Sequence, residues 1–299
     1  MSLTAEQIAA RATGVGGSDA AAACGLSKWK SPLQLYYEKR GEAPAFEGNE
    51  YTKWGNYLEV PIRQEYAERT RRVVRLPVET LRHPRFAFML CHPDGVTDDG
   101  RLFEAKATRS GDEWGEPGTD QIPTQFLIQV QHNMAVAGLE VADVAVLIAG
   151  SDFRMYEVPA DREMQDMLAS LEMKFWERVE SGNPPAPTSP EDVAFLYGNK
   201  SEPIEVEAPG QIADTVAALR SLKAEAASIA DRIVKFETSV KLAMGHADTL
   251  TYRGKPLATW KASKAPERVD LAALRAAHPS IVAPFVRTGE PCRRLLLKG

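Results

Sequence analysis

The first 181 residues alternate between helical and strand-like patterns of apolar residues. Apolar residues at three- and four-residue spacings predict helices over residues 31–41, 49–69, 123–138 and 161–180. In the second helix, one face carries Trp54, Leu58, Ile62 and Tyr66. Short β-rich runs predict strands within residues 73–81, 86–90, 95–97, 102–107, 141–150 and 152–158. This alternation is typical of an α/β domain.

A Pro-rich segment at residues 182–190 interrupts the pattern and predicts a domain boundary. We therefore expect a first domain at 1–181, a linker at 182–207 and an extension at 208–299. Apolar residues from Ile212 to Val240 predict a long helix over 208–244 with a coiled-coil or helical-hairpin contact. We call the apolar face formed by these residues the seam of the helix. The pattern leaves open whether the seam packs on the chain's own first domain or on another subunit. A hairpin turning at Arg253-Gly254, a short helix at 269–279 and a final strand at 292–298 complete the prediction.

Composition narrows the class of protein. Hydrophobic residues make up 44% and charged residues 26%, which excludes collagen-like and wholly disordered chains. No apolar run approaches the roughly 20 residues that span a bilayer, and the first residues lack the apolar stretch of a secretory signal. The three cysteines form no C-x-x-C pair, which fits a reducing compartment. We expect a cytoplasmic protein that does not contact a membrane.

The net charge of −5 is unevenly distributed. Residues 253–299 contain 10 Lys/Arg and 3 Asp/Glu, which gives +7 in this segment. The excess either forms an ordinary solvated surface or contacts the phosphates of a nucleic acid. Charge alone does not decide between the two.

The densest chemical signal lies at residues 92–106. Glu104 and Lys106 are two residues apart on a predicted strand, so both side chains point to one face. If the strand after Asp94 pairs with this strand, two carboxylates approach and repel, and a hard cation such as Mg²⁺ removes the repulsion. Lys106 beside the metal could orient or deprotonate water, or neutralise charge on a phosphate. An E-x-K strand is also common as a solvated ion pair, so this alone is not decisive.

A glycine-rich turn lies near the start of the chain. Gly14, Gly16 and Gly17 permit a tight turn, and Ser18 or Asp19 is expected to cap the helix that follows. Backbone N–H groups at such a helix end can bind an anion. No Lys-Ser/Thr pair follows the glycines, which excludes an ATP-binding P-loop.

Five segments together carry a family resemblance. WGNYLE, HPDGV, LFEAKA and QVQHNMAV follow the opening GVGGSDAAAACGLSKWKSPLQLYYEKRGE in this order. This order and spacing resemble the YqaJ-like viral recombinase family, which includes lambda exonuclease and belongs to the PD-(D/E)xK nuclease superfamily. The resemblance covers residues from about 11 to 181. It implies a restriction-endonuclease-like α/β fold, with a mixed central sheet flanked by helices, followed here by a helical and small β extension.

The resemblance also assigns roles to residues. It implies a catalytic set of Glu59, Asp94, Glu104, Lys106 and Gln131. Asp94, Glu104 and the Ala105 carbonyl would hold Mg²⁺, for which Mn²⁺ would substitute. Lys106 would be the catalytic lysine, and Glu59 would support the metal site.

Two further assignments concern a glutamine and an anion pocket. Gln131 would help to place the nucleophilic water or the lysine. Gln129 is two residues away on the same helix, so only one of the pair faces the metal, and we expect Gln131 to do so. Arg11, seven residues before Ser18, would contact a 5′-terminal phosphate together with Ser18.

The implied activity is Mg²⁺-dependent hydrolysis of linear double-stranded DNA from 5′ to 3′, which leaves 3′ single strands for phage-type homologous recombination. The resemblance also implies a homo-oligomer, in the form of a trimeric ring, and a single-strand annealing protein as partner. The setting would be a phage or prophage protein in a bacterial cytoplasm. The alternatives are a structure- or sequence-specific DNA endonuclease with the same metal site, and a non-catalytic DNA-binding or annealing protein.

Overall fold

The computed structural model describes residues 9–43, 48–198, 201–264, 269–287, 289 and 293–298. The chain divides into two units, Met1–Gly198 and Asn199–Gly299. The described part of the first unit includes the helices α1 (Gly17–Ala23), α2 (Pro32–Lys39), α3 (Glu50–Thr70), α4 (Thr124–Ala137), α5 (Arg162–Ser181) and α6 (Pro190–Tyr197). Its strands are β1 (Val15–Gly16), β2 (Val74–Arg75), β3 (Leu81–Arg82), β4 (Met89–Cys91), β5 (Gly95–Thr97), β6 (Leu102–Thr108), β7 (Val141–Ile148) and β8 (Asp152–Pro159).

The central sheet has five strands in the order β2-β5-β6-β7-β8. Strands β6 and β7 are parallel, and the other neighbours are antiparallel. Leu102, Val144 and Val146 pack with residues of α4 on one face. Phe103 and Ala145 pack with residues of α3 on the other. Both faces of β6 and β7 are therefore covered, and the predicted mixed sheet flanked by helices is confirmed.

A smaller sheet, β1-β4-β3, holds the glycine-rich turn in place. The Val15 N–H donates to the Phe88 carbonyl over 2.7 Å. A Cβ atom on Gly14 would lie 2.2 Å from that same carbonyl oxygen. Glycine at position 14 thus lets the backbone pass close to the β4 region, which fixes where the turn lies.

Helix α3 follows the predicted span, but only part of its apolar face is buried. Asn49 caps the helix through a reciprocal hydrogen-bond pair with Thr52. Ile62 and Tyr66 are buried, whereas Trp54 is 56% exposed. The hydrophobic period identifies a face of a helix but not the length over which that face meets the sheet. Trp54 lies near the start of α3, before the part of the helix that packs against the sheet.

Helix α6 lies within residues 182–207, which the sequence predicted to be a linker. Asp192 in this helix accepts hydrogen bonds from the Ser31 hydroxyl at 2.5 Å and the Thr188 N–H at 2.9 Å. The Phe195 ring lies 5.3 Å from the Tyr37 ring. The Ser31 and Tyr37 contacts attach residues 190–197 to α2, so the first unit ends near residue 198 rather than 181.

The second unit contains α7 (Gly210–Met244), a hairpin of β9 (Thr249–Tyr252) and β10 (Lys255–Thr259), and two short helices, α8 (Leu271–Ala277) and α9 (Pro279–Val282). The long helix and the hairpin agree with the prediction. The final strand does not: residues 293–298 carry no strand, and Cys292 lies outside the described residues. Within the described ranges, no helix is both long and apolar enough to cross a membrane.

Candidate active site

Pairing of β5 with β6 brings Asp94 to the strand that carries Glu104. Asp94 directly precedes β5, whose Gly95 is opposite Phe103. The Ala105 N–H donates to Asp94 Oδ2 over 2.9 Å. This backbone bond holds the Asp94 carboxylate beside the middle of β6.

Glu104 is the centre of the polar cluster. Its side chain is 3% exposed, and Oε1 accepts from Lys106 Nζ at 2.6 Å. The same oxygen accepts from Gln129 Nε2 at 2.5 Å, and Lys106 Nζ also donates to Gln129 Oε1 at 3.2 Å. Glu104 and Lys106 therefore share a face of β6, as the strand alternation predicts.

The charges in the cluster perturb one another. Burial, followed by repulsion from the Glu104 carboxylate, raises the pKa of Asp94 to about 8. Burial alone would lower the pKa of Lys106, but the carboxylates of Glu104 and Asp94 outweigh it, so this pKa is raised. Two apposed carboxylates and one buried ammonium thus form a site in which negative charge is only partly compensated.

The structure corrects the choice between the two glutamines of α4. Gln131 is buried away from the cluster, where Nε2 donates to the Pro159 carbonyl at 2.7 Å. Its Oε1 accepts from the Asp161 N–H at 2.9 Å and from Gln165 Nε2 at 3.0 Å. These bonds join α4 to the start of α5 and keep Gln131 away from the site. Gln129, which contacts Glu104 and Lys106, is the glutamine at the site. Residues two apart on a helix face different directions, and the sequence does not show which direction points to β6.

Asn133 was not predicted, although it lies four residues after Gln129 and hence on the same face of α4. Its Nδ2 is 3.5 Å from Glu104 Oε2, and its Oδ1 is buried without a hydrogen-bond partner among the described residues. A Cβ atom on Gly17 would lie 2.1 Å from that Oδ1. Asn133 therefore fills the space between the glycine turn and the carboxylate cluster.

Glu59 lies on α3, as predicted, at the edge of this cluster. Its side chain is 16% exposed, and Oε1 accepts from Arg63 Nη1 at 3.2 Å. The charge of Glu59 contributes to the raised pKa values of both Asp94 and Lys106, after larger effects. The helix thus brings a third acidic group within electrostatic range.

Arg11 and Ser18 also come together. Arg11 Nη2 donates to Ser18 Oγ at 2.7 Å and lies 3.6 Å from Asp19 Oδ1. Lys39 Nζ, which is buried, donates to Asp19 Oδ2 and to the Arg11 carbonyl, both at 2.7 Å. Burial would raise the pKa of Asp19, but Lys39 and Arg11 outweigh it and lower this pKa. Helix α1 begins at Gly17 with no side-chain cap, so Ser18 and Asp19 serve this network rather than capping the helix.

A buried pair anchors the other side of α4. His132 Nε2 lies 2.9 Å from the Leu90 carbonyl, to which it donates, and Nδ1 lies 2.9 Å from Glu172 Oε1. Burial lowers the pKa of His132, but the Glu172 carboxylate outweighs burial and raises it. The pair ties α4 to β4 and α5. The sequence gives no sign of it, because the partners are 40 residues apart.

Within the described residues, no three His, Cys, Asp or Glu side chains converge on a common metal position. The predicted ligand set does not need three such side chains, because it consists of two carboxylates and the Ala105 carbonyl.

Comparison with known proteins supports the resemblance. Residues 7–140 match the family model of the YqaJ-like viral recombinase domain. The uncharacterized protein YqaJ of Bacillus subtilis is 36% identical over 188 residues, which are 60% of this chain and 58% of that protein. The chain thus matches somewhat more than half of the length of this relative.

The fold resembles solved structures. An alkaline exonuclease, LHK-Exo, from Laribacter hongkongensis superposes with a TM-score of 0.52 at 22% identity, over 60% of this chain and 94% of that chain. The complex of LHK-Exo with dAMP matches the same shares at 22% identity, with a TM-score of 0.50. These likenesses concern the fold, which is restriction-endonuclease-like. Residues 7–140 are thus similar to the YqaJ-like viral recombinase domain.

Proposed function

We propose that this chain is a divalent-metal-dependent exodeoxyribonuclease that degrades linear double-stranded DNA from the 5′ end. The observation that carries the proposal is the buried Glu104 carboxylate, shared by Lys106 and Gln129, with Asp94 held alongside by the Ala105 N–H. Carboxylates, a lysine and an amide in this arrangement suit hydrolysis of a phosphodiester. The family match and the exonuclease fold favour the same chemistry.

Mg²⁺ fits the donor set, and Mn²⁺ would substitute for it. Asp94, Glu104 and the Ala105 carbonyl would hold the ion, since hard cations prefer oxygen ligands. Burial and the neighbouring Glu104 carboxylate raise the pKa of Asp94, and a divalent cation bound here would offset both effects. When bound, the metal provides Lewis acidity toward a phosphate oxygen.

The side chains of the site would position the reacting groups and neutralise the charge that develops on the phosphate. Lys106 keeps a positive charge beside the site, where it stabilises the charge that develops on the phosphate. Gln129 orients Lys106 and Glu104 through its amide. Glu59 supports the site from α3, and Asn133 keeps Glu104 in place from α4.

The Arg11–Ser18 pair is the proposed pocket for a terminal 5′-phosphate. A guanidinium forms strong charge-assisted hydrogen bonds to phosphate. The pair lies at the glycine turn, which Asn133 joins to Glu104. A phosphate held here would set the polarity of degradation, and 3′ single strands would remain. We further propose a homo-oligomeric ring and a single-strand annealing partner, as expected for a phage-type recombination system.

The test compares three DNA substrates of equal length in Mg²⁺: a 5′-phosphorylated linear duplex, a 5′-hydroxyl linear duplex and a covalently closed circle. The phosphorylated duplex should be degraded fastest and the circle should remain intact, and Arg11→Ala should remove most of the difference between the two linear forms. Cleavage of the circle would instead identify an endonuclease. An absence of cleavage over a full titration of Mg²⁺ and Mn²⁺ would identify a non-catalytic DNA-binding protein.

A further inference from the structure

The hairpin of the second unit has an unusual composition. Residues 248–264, which form the hairpin and its flanks, contain four basic residues and one acidic residue, Asp248, in a chain of net charge −5. The basic residues are Arg253, Lys255, Lys261 and Lys264. A local excess of positive charge of this size attracts a polyanion.

The strand register places two aromatic residues on one face. Tyr252 is opposite Lys255, and Leu250 is opposite Ala258, after a bulge at Leu257. Paired residues share a face and side chains alternate along each strand, so these four residues lie on one side. The Trp260 N–H donates to the Asp248 carbonyl at 3.0 Å, which continues the ladder by one position.

Trp260 therefore lies on the same side as Leu250 and Tyr252. We name this side the hairpin face, formed by Leu250, Tyr252, Lys255, Ala258 and Trp260, with Asp248 opposite Trp260 at its edge.

The aromatic rings of the hairpin face are accessible. Tyr252 is 58% and Trp260 49% exposed. The Arg253 guanidinium lies 5.1 Å from the centre of the Tyr252 ring. Exposed rings flanked by cations form the usual platform for unpaired bases, because the rings stack on base faces while the cations contact phosphates.

We propose that the hairpin face binds single-stranded DNA. Base faces are covered by their neighbours in a duplex and become available only when the strands separate, so exposed rings favour a single strand over a duplex. The excess of four basic residues over one acidic residue in this segment favours a polyanion over a protein partner. The binding site rests on the hairpin alone, whereas its use to retain the 3′ strand left by digestion rests on the proposed function.

The test measures binding of a 3′-labelled oligothymidylate to the full chain in EDTA, where no metal-dependent cleavage occurs, across a series of salt concentrations. The ring variant is Tyr252→Ala with Trp260→Ala, and the charge variant is Lys255→Ala with Lys261→Ala. Arg220→Ala with Lys223→Ala on α7 removes the same charge from another surface of the unit and serves as the control. Circular dichroism and thermal melting confirm that each variant folds.

We expect the ring variant to raise the Kd by about tenfold at an unchanged salt slope, since stacking does not release counterions. The charge variant should also raise the Kd and should reduce the salt slope by about 1. The control should stay within about twofold of the wild type.

Three outcomes would overturn the proposal. Equal Kd values for the wild type and the ring variant would mean that the rings do not contact the strand. An equal loss for a blunt duplex of the same length would indicate general phosphate contact instead. An unchanged Kd with an altered association state of the ring variant would indicate a protein interface. If the linear duplex is not cleaved but the ring variant still weakens oligothymidylate binding, the proposed nuclease function fails and the hairpin site stands.

Discussion

The two units differ in what they do with apolar side chains. In the first, both faces of the central strands are covered, and residues such as Val144 and Met134 are fully buried. In the second, the seam of α7 is open to solvent: Leu222 is 62% and Ile233 52% exposed. Met244 is the one apolar residue of the described second unit that is buried.

Within the described residues, the first unit alone is therefore stabilised by a core of its own. Most helical stability in proteins comes from packing of an apolar face rather than from intrinsic propensity. The first unit can therefore hold a rigid polar site such as the Glu104 cluster. The seam of α7 keeps the pattern of a helix that contacts another surface, and the partner of that contact stays a prediction.

The substitution with the greatest predicted effect on the cleavage rate tests whether catalysis depends on the first unit. Lys106→Ala should lower kcat more than tenfold in Mg²⁺ while folding and duplex binding stay near wild type, because the lost charge acts on the transition state. Lys223→Ala, an exposed lysine of α7, is the control and should leave the rate unchanged. Steady-state cleavage of a linear duplex measures both. More than a tenth of wild-type activity in Lys106→Ala would refute the role of this lysine.

The next effect concerns the carboxylates. Asp94→Asn and Glu104→Gln should each weaken Mg²⁺ binding, measured by titration calorimetry, because each removes one negative ligand without changing shape. Without metal, Asp94→Asn should raise the free energy of unfolding at pH 7. The reason is that the folded-state pKa of Asp94 is raised to about 8, so ionisation of this group opposes folding. Asp214→Asn on α7 should change neither quantity. Unchanged metal affinity in both site variants would place the metal elsewhere.

A matched pair of truncations sharpens the contrast in burial. Met134→Ala should lower the free energy of unfolding of the first unit by about 2–5 kcal/mol, since it leaves a cavity among fully buried residues. Ile233→Ala should cost less than about 1 kcal/mol, because the residue is half exposed. Urea titrations followed by fluorescence and circular dichroism give both values. A cost for Ile233→Ala that equals the cost for Met134→Ala and grows with protein concentration would show that a second copy covers the seam.

Substitution of one glutamine of α4 should affect mainly stability, and substitution of the other should affect mainly the cleavage rate. Gln131→Ala leaves the Pro159 carbonyl, the Asp161 N–H and Gln165 without this partner, so it should lower the free energy of unfolding by about 1–3 kcal/mol. Its effect on kcat should be small. Gln129→Ala should lower kcat with little change in stability. Urea unfolding and cleavage rates measured on both variants test these two predictions. A large loss of kcat in Gln131→Ala with little change in Gln129→Ala would restore Gln131 as the site residue.

The smallest expected effect is on pH dependence. Because the folded-state pKa of His132 is raised above its unfolded value, the pair with Glu172 stabilises the protein at pH values below about 6.5. That contribution is lost as the pH rises through the folded-state pKa. Glu172→Gln should remove this part of the pH dependence, seen as a smaller difference in urea midpoint between acidic and alkaline pH. Identical pH profiles for the wild type and the variant would contradict the ion pair.

With the exception of α6, the long helices and the central strands of the first unit are predicted correctly from the sequence, because hydrophobic period and caps such as Asn49 are local signals. Strand alternation also predicted that Glu104 and Lys106 share a face, and this is confirmed. The apolar spacing of the long helix and the turn residues of the hairpin likewise predict these two elements of the second unit.

Tertiary packing, and not the sequence pattern, places Gln129 at Glu104, buries only part of α3 and attaches α6 to the first unit. Each depends on the rotation of a helix or on a partner far away in sequence. Ser31 and Asp192, for example, are 161 residues apart. The Asn133 contact with the glycine turn and the Lys39–Asp19 pair have the same origin. A periodic pattern specifies the face of an element, but only packing specifies which atoms that face meets.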